Sequence, residues 1–276
     1  MGIFDGCLLA CDVDGTLVDN GYINPKNIEG IEYFISQGGL FSISTGRSVT
    51  ALSSVTEKLK RISPSVVSNG CMIYDYQNNK VLYQKVLNSK DYLIVKDVLN
   101  EKLDVGIEVH SGDRVLTIRQ TAKTDLHQSY ESLETTVISF NKACNYKWNK
   151  VLFTGDNLKD FERVKEISKK YRDTSAFVDT AVFLDGIKQE YFEQMPLGIS
   201  KASGISKLIS MFNIKKGCSY AIGDYYNDIE MLKNADICAV PIGAPDEVKA
   251  LADYVAVGCR DGAVADFIDY LTKLKF

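Results

Sequence analysis

Two aspartates follow the first apolar run of the chain, in the segment Asp12-Val13-Asp14-Gly15-Thr16. Residues two apart in an extended backbone point to the same side, so both carboxylates can face one pocket. Gly15 permits a tight turn whose backbone N–H groups can converge on an anion. The spacing favours a functional pocket, and the alternative is an ordinary polar transition from strand to loop.

A second pair of aspartates lies in the segment Gly223-Asp224-Tyr225-Tyr226-Asn227-Asp228, which also follows an apolar run. These two residues are four apart and share one face if a helix begins at once, although Asp is also common at helix caps. With Asp12 and Asp14, four carboxylates then stand at the ends of two strands, where they repel one another. We therefore predict a bound hard cation, Mg²⁺, coordinated by carboxylates and water.

Two further segments offer groups for the same chemistry. Ser44-Thr45-Gly46-Arg47 ends another strand-like run and supplies a hydroxyl, a glycine turn and a guanidinium. Lys201 stands where the alternation of strand and helix resumes, although a single lysine is usually solvated surface. Carboxylates that hold Mg²⁺, a hydroxyl and an ammonium are what phosphoryl transfer requires, because they position the phosphoryl group and neutralise its oxygens.

The elements that must position these residues alternate between strand and helix at both ends of the chain. Apolar runs predict short buried strands, and apolar residues at helical spacing predict the helices between them. Together they predict an α/β fold with a doubly wound, Rossmann-like parallel sheet, whose carboxyl edge binds ligands. The predicted strands are 7–11, 40–44, 65–68, 219–222, 237–240 and 254–257, with a helix after the Asn24-Pro25 cap, one over 49–59, and others near 205–212, 231–232 and 264–271.

The middle of the chain has a different pattern, in which hairpins join most of the strands. Turn residues at Gln77-Asn78-Asn79, Ser111-Gly112-Asp113 and Asp185-Gly186 separate β-like runs, and Asp-Gly is the turn that hairpins favour. We expect an antiparallel α+β insert with a helix in each half. The predicted domains are a discontinuous core of residues 1–82 and 195–276 and an inserted domain of residues 83–194.

Taken in order, these motifs resemble the haloacid dehalogenase superfamily, and more narrowly its Cof-type, class IIB sugar-phosphatase branch. That branch carries a large cap between its second and third motifs, where the insert falls in this chain. The resemblance covers essentially the whole chain and rests on the ordered set Asp12-x-Asp14-Gly15-Thr16, Ser44-Thr45-Gly46-Arg47, Ser68-Asn69-Gly70, Gly198-Ile199-Ser200-Lys201 and Gly223-Asp224-x-x-Asn227-Asp228.

The resemblance implies a reaction in which Asp12 is the nucleophile and forms an aspartyl-phosphate. Asp14 would protonate the leaving group and then activate water, so the two aspartates need different protonation states. Thr45 and Lys201 would bind phosphoryl oxygens. Mg²⁺ would be held by the Asp12 side chain, the Asp14 carbonyl and Asp224, with Asp228 as a ligand or beside one. Further contacts to phosphate or substrate would come from Gly15, Thr16, Gly46, Arg47, Asn69 and Asn227.

One position departs from the family pattern. The family often has glycine directly after the lysine, and this chain has Lys201-Ala202-Ser203-Gly204. The lysine is kept, so the departure bears on the local turn rather than on the chemistry. Substrate specificity would reside in the cap, which would close over the leaving group. Within it we assign four polar residues to packing or solvent rather than to ligand binding: His110, Arg114, Arg119 and Glu193.

Composition limits the other classes of function. With 32 basic and 36 acidic residues the net charge is −4, which argues against a general nucleic-acid binder. No apolar run is long enough for a membrane span, and the first residues lack a signal-peptide pattern. Seven scattered cysteines and two histidines favour reduced thiols and disfavour a zinc site. We expect a cytoplasmic protein, a monomer or small homo-oligomer, that acts on a small phosphorylated metabolite.

Three other functions use parts of the same site. A phosphotransferase or phosphomutase would use the same aspartyl-phosphate and pass the phosphoryl group to an acceptor. A phosphoacceptor signalling domain needs neither Asp14 nor a large insert, and a binding module without turnover would not need every catalytic position intact. A dinucleotide-binding function is disfavoured because no Gly-x-Gly-x-x-Gly follows the first strand.

Overall fold

The computed structural model describes residues 2–155, 157–184 and 187–275. They form two compact units, of which the first comprises Met1–Gly46, Ser54–Leu82 and Ser200–Phe276. The second comprises Arg47–Ser53 and Tyr83–Ile199. The short segment Arg47–Ser53, which the sequence analysis placed in the core domain, is thus grouped with the inserted part of the chain.

The strands and helices alternate at both ends of the chain and hairpins dominate its middle. The strands are β1 (Leu8–Cys11), β2 (Leu40–Ile43), β3 (Ser65–Val67), β4 (Met72–Asp75), β5 (Lys80–Gln84), β6 (Gly106–Ser111), β7 (Arg114–Arg119), β8 (Thr135–Val137), β9 (Lys150–Thr154), β10 (Ser175–Leu184), β11 (Ile187–Pro196), β12 (Ser219–Ile222), β13 (Ile237–Pro241) and β14 (Tyr254–Ala256). The helices are α1 (Pro25–Ser36), α2 (Ser53–Thr56), α3 (Leu93–Asn100), α4 (Ala122–Glu131), α5 (Phe140–Ala143), α6 (Leu158–Ser168), α7 (Lys201–Phe212), α8 (Ile229–Asn234), α9 (Asp246–Lys249) and α10 (Ala263–Lys273).

The first unit is built on a five-stranded sheet in the order β14-β13-β12-β1-β2. All of its pairings are parallel, and every residue of β1 and β12 is buried, as their continuous apolar runs require. The carboxyl ends of β1, β2 and β12 therefore lie at one edge. This confirms the predicted doubly wound parallel core.

Two elements predicted for the core domain differ from the structure. β3 joins β4 and β5 in a separate three-stranded sheet, and an isolated parallel bridge between Ser44 and Val66 connects it to the residue after β2. The predicted helix over 49–59 is reduced to a 3₁₀ turn, Thr50–Leu52, and the four residues of α2. Serine and threonine are frequent in this segment, and both are weak helix formers that compete for backbone hydrogen bonds.

The second unit is a six-stranded sheet in the order β10-β11-β9-β6-β7-β8, antiparallel except for β7 with β8. The hairpins β6–β7 and β10–β11 were predicted, and the Asp185-Gly186 turn lies outside the described residues. The unit has its own apolar core, in which Trp148 stacks on Tyr92 at 3.8 Å between ring centroids. Other core residues are Val98, Val109, Val151, Phe153, Val164 and Phe192.

Helix α4 was not predicted, and its sequence explains why. Thr121 caps it, but the side chains that it buries are Thr124 and His127. Apolar periodicity, the main signal for a helix, is therefore missing from this segment. The helix packs its polar face on β6, where Glu108 is fully buried.

Three charged groups meet at this contact. His127 Nδ1 lies 2.7 Å from Glu108 Oε2, and its Nε2 lies 3.7 Å from Glu131 Oε1. Burial disfavours the imidazolium, but the carboxylates of Glu131 and Glu108 raise the pKa of His127 to about 10. Burial opposes ionisation of Glu131 as well, yet the charge of His127 lowers the pKa of Glu131 to about 2. The contact is thus a buried set of paired charges.

Among the described residues, no helix combines the length and apolarity needed to cross a lipid bilayer. All seven cysteines are free thiols, and Cys7, Cys11, Cys71 and Cys238 are buried.

We predict that the paired charges around His127 make the folded chain less stable at alkaline pH. Because its pKa is higher in the folded chain than the usual 6.5, the stabilisation is complete below about pH 6.5 and is lost as the pH rises through about 10. The unfolding free energy of the wild type should therefore fall by about 2–4 kcal/mol more than that of His127→Gln between pH 7 and 10. Urea denaturation at pH 7 and at pH 10 measures the unfolding free energy of both proteins. An equal fall in that free energy for the wild type and His127→Gln would contradict the assignment.

Candidate active site

Asp12 stands directly after β1 and is 5% exposed. Its backbone N–H donates to the carbonyl of Ile222 at 2.9 Å, which fixes it beside the end of β12. Burial raises the pKa of this carboxyl well above its usual range, and Lys201 opposes the shift while neighbouring carboxylates add to it. An ionised Asp12 therefore depends on a nearby positive charge.

Lys201 supplies such a charge from the first residue of α7, and its side chain is 2% exposed. Its Nζ donates to Asp12 Oδ1 at 2.5 Å and to Asp228 Oδ1 at 2.7 Å. Burial alone would disfavour the ammonium, but the carboxylates of Asp12 and Asp228 raise the pKa of Lys201. The raised pKa favours the charged form, so the lysine is a buried cation that joins the two aspartates.

Carboxylate oxygens of Asp12, Asp224 and Asp228 lie within 4.8 Å of one another. Burial and the charge of Asp228 raise the pKa of Asp224 to about 6, although Lys201 opposes this shift. Three carboxylates that face one ammonium leave an excess of negative charge, and hard oxygen donors of this kind suit Mg²⁺. The side chains thus fit a divalent cation.

The proximity of Asp224 and Asp228 comes from a turn rather than from a shared helix face. Asp228 ends a 3₁₀ turn, Tyr226–Asp228, and its Oδ2 accepts from the backbone N–H groups of Asp224 and Tyr225 at 3.2 and 3.3 Å. The preceding Gly223 is required by the same turn, because a Cβ there would lie 2.5 Å from Asp228 Cγ. In the sequence, only its position between an apolar strand and an aspartate marks this glycine.

Gly15 and Thr16 hold the other side of Asp224. Gly15 has a φ of +82°, and a Cβ at this position would lie 2.3 Å from Asp224 Oδ2. The Thr16 hydroxyl donates to Asp224 Oδ1 at 3.1 Å. These two residues, predicted as phosphate contacts, therefore also position a carboxylate. Asp14, which precedes them, is half-buried and pairs with Val18 in an isolated bridge, and its negative charge helps to raise the pKa of Asp12.

Thr45 and Asn69 meet at the end of β2. The Ser44 N–H donates to the Cys11 carbonyl at 2.8 Å, and the Asn69 N–H donates to the Thr45 carbonyl at 2.9 Å. Asn69 has a φ of +54°, which asparagine tolerates better than most residues. A Cβ on Gly46 would lie 2.9 Å from Asn69 Oδ1, so glycine lets these segments approach closely.

Arg47 and Asn227 are placed differently from the residues above. Arg47 belongs to the second unit, where its guanidinium lies 5.4 Å from the centroid of the Tyr130 ring and donates to the Ala51 carbonyl at 3.3 Å. Asn227 is exposed in the turn that ends at Asp228. Their assignment as substrate contacts stays a prediction.

The chain matches a model of the haloacid dehalogenase-like hydrolases over residues 9–268. It therefore belongs to this family, as its motifs predicted. A candidate phosphatase of Streptococcus pyogenes serotype M6 is 26% identical over 95% of this chain and 96% of its own length. The 5-amino-6-(5-phospho-D-ribitylamino)uracil phosphatase YwtE of Bacillus subtilis is 23% identical over 97% of this chain and 99% of its own length.

A solved structure shows the same fold. The HAD subclass IIB sugar phosphatase BT4131 superposes with a TM-score of 0.80 at 22% identity, covering 96% of this chain and 99% of that protein. The class IIB architecture expected from the order of motifs is thus confirmed at the level of the fold.

We predict that Mg²⁺ stabilises the folded chain through the cluster of Asp12, Asp224 and Asp228. At a concentration about 100-fold above its Kd the gain is about 2.7 kcal/mol, which raises the melting temperature. Asp224→Asn should lose most of this gain, yet melt no lower than the wild type in EDTA because it removes a disfavoured charge. Asp246→Asn, whose side chain is 94% exposed, should respond as the wild type does. An equal shift in all three proteins would place the cation elsewhere.

Proposed function

We propose that the chain is a Mg²⁺-dependent phosphatase that hydrolyses a small phosphorylated metabolite through an aspartyl-phosphate on Asp12. The observation that carries the proposal is the buried ammonium of Lys201 between Asp12 and Asp228, beside a cluster of three carboxylates. A structural ion pair needs one carboxylate for each cation, whereas this arrangement leaves excess negative charge that a divalent metal ion would balance. The metal ion and the Lys201 ammonium would then attract the oxygens of a phosphoryl group.

The nucleophilic step requires Asp12 as a carboxylate. Burial and the neighbouring carboxylates favour its neutral form, and Lys201 opposes them. Asp12 would attack phosphorus in line with the leaving oxygen, so that the P–O bond to the alcohol breaks as the bond to Asp12 forms. Mg²⁺, held by Asp12, Asp224, the Asp14 carbonyl and Asp228 or a water beside it, would neutralise charge on the phosphoryl oxygens.

The protons of the reaction would be handled by Asp14. It would give a proton to the departing alcohol and then remove one from the water that attacks the aspartyl-phosphate, which releases phosphate and regenerates Asp12. Thr45 and the ammonium of Lys201 would bind the equatorial oxygens throughout. Gly15, Thr16, Gly46 and Asn69 would shape the turns that carry these groups.

In this proposal the core domain, residues 1–82 and 195–276, would carry out catalysis. Residues 83–194 would be the cap, which selects the leaving group and excludes water. The names of the relatives support a phosphate ester of a sugar or a sugar alcohol, because one is a sugar phosphatase and another acts on a phosphoribityl compound.

The test is phosphate release from a panel of sugar, sugar-alcohol and aryl phosphates, with Mg²⁺ and with EDTA. We expect release that requires Mg²⁺ and falls at least about 1,000-fold in Asp12→Asn, because the nucleophile is removed. Asp246→Asn, exposed on the same unit, serves as the matched control.

Two results would contradict the proposal. Full activity in Asp12→Asn would exclude the aspartyl-phosphate. No release from any compound by folded protein with Mg²⁺ would exclude the phosphatase, and label appearing on an added alcohol would then identify a phosphotransferase.

A further inference from the structure

His110 lies in β6 of the second unit and is 2% exposed. Within the described ranges neither of its ring nitrogens has a hydrogen-bond partner. Buried polar groups in folded proteins are nearly always paired, and each exception requires an explanation. Packing, one of the two roles predicted for this residue, accounts for its burial but not for its two unpaired nitrogens.

The surroundings of His110 are polar on the same face of the sheet. His110 is opposite Lys150 in the register of β6 and β9, so their side chains share one face. Lys150 Nζ lies 3.0 Å from Glu193 Oε1, and both side chains are buried. Oε2 of Glu131 is also buried without a hydrogen-bond partner among the described residues. The charges of Lys150, Glu131 and His127 therefore act on the imidazole, although none of these groups bonds to it.

The charges on this face are paired. Lys150 is bound to Glu193, and Glu131 lies beside His127 and within the field of Arg47. Burial and the cation of Lys150 lower the pKa of His110, so its ring is neutral and offers one donor and one acceptor. Because these charges already compensate one another, a charged ligand would find no unpaired opposite charge on this face. Hydroxyl groups, which both donate and accept, match this set.

We infer that the polar face formed by His110, Lys150, Glu193 and Glu131 is a binding subsite for a neutral, polyhydroxylated group, with His110 bonding its hydroxyls. The inference rests on the proposed function, in which this group is the alcohol part of the phosphate ester.

The first experiment follows the imidazole directly. The sequence has two histidines, so ¹H–¹³C spectra of Asp12→Asn with labelled histidine show two imidazole signals, and His110→Gln assigns them. We expect ribitol 5-phosphate and free ribitol to shift the His110 signal. Inorganic phosphate and phenyl phosphate should leave it in place. A His110 signal unmoved by both hydroxylated probes would overturn the inference.

The second experiment separates substrate recognition from catalysis. His110→Leu, which removes an unpartnered polar ring, should keep the melting temperature within a few degrees of the wild type. Its kcat/KM for the preferred hydroxylated phosphate should fall at least about 10-fold, mainly through KM. Its kcat/KM for an aryl phosphate should change by less than about 2-fold. Arg114→Leu, at an exposed hairpin position of the same unit, is the matched control.

The two proposals fail in different ways. Equal losses on both substrates, or no loss on either, would remove His110 from recognition while leaving the phosphatase intact. No phosphate release from any compound, together with a His110 signal shifted by ribitol, would keep the subsite and reject the phosphatase. If His110→Leu does not fold, His110→Gln gives the same comparison, and the spectra of Asp12→Asn need no substitution at His110.

Discussion

The first unit depends on one buried positive charge. An ammonium taken out of water is costly unless carboxylates compensate it, and Lys201 meets this condition by bonding to Asp12 and Asp228 together. The constraint extends to the helix that carries it. At Gly204, one turn into α7, a Cβ would lie 2.5 Å from Val66, so only glycine allows the helix to approach β3 this closely. In this chain the glycine stands one turn after the lysine rather than directly after it, and it allows α7 to pack closely on β3.

Much of the fold follows from local signals in the sequence. Continuous apolar runs identified β1, β2 and β12, and the Asn24-Pro25 pair identified the start of α1, where Asn24 accepts from Lys26 N–H at 2.9 Å. The rule that ligands bind at the carboxyl edge of a parallel sheet was enough to bring Asp12, Thr45 and Asp224 to one region. These features could be predicted because each depends on few neighbouring residues.

The parts that could not be predicted depend on contacts between distant segments. Asp228 approaches Asp224 through a turn closed by its own carboxylate, which residue spacing does not reveal. The catalytic and metal-binding roles given to the predicted residues remain proposals. Helix α4 was missed because the side chains that it buries, Thr124 and His127, are polar. Their burial is stabilised by Glu108, which bonds to His127 from another element of the fold. A buried polar contact has no periodic signature in the sequence.

Trp148 has a consequence for how folding can be observed. It is the only tryptophan of the chain, it is buried in the core of the second unit, and its indole N–H donates to the Ala143 carbonyl at 2.8 Å. Its fluorescence therefore reports the unfolding of that unit alone, whereas circular dichroism averages over both. Denaturation curves from the two signals coincide only if both units unfold in one cooperative step. The separation of their midpoints would measure how independently an inserted domain and its interrupted host hold their structures.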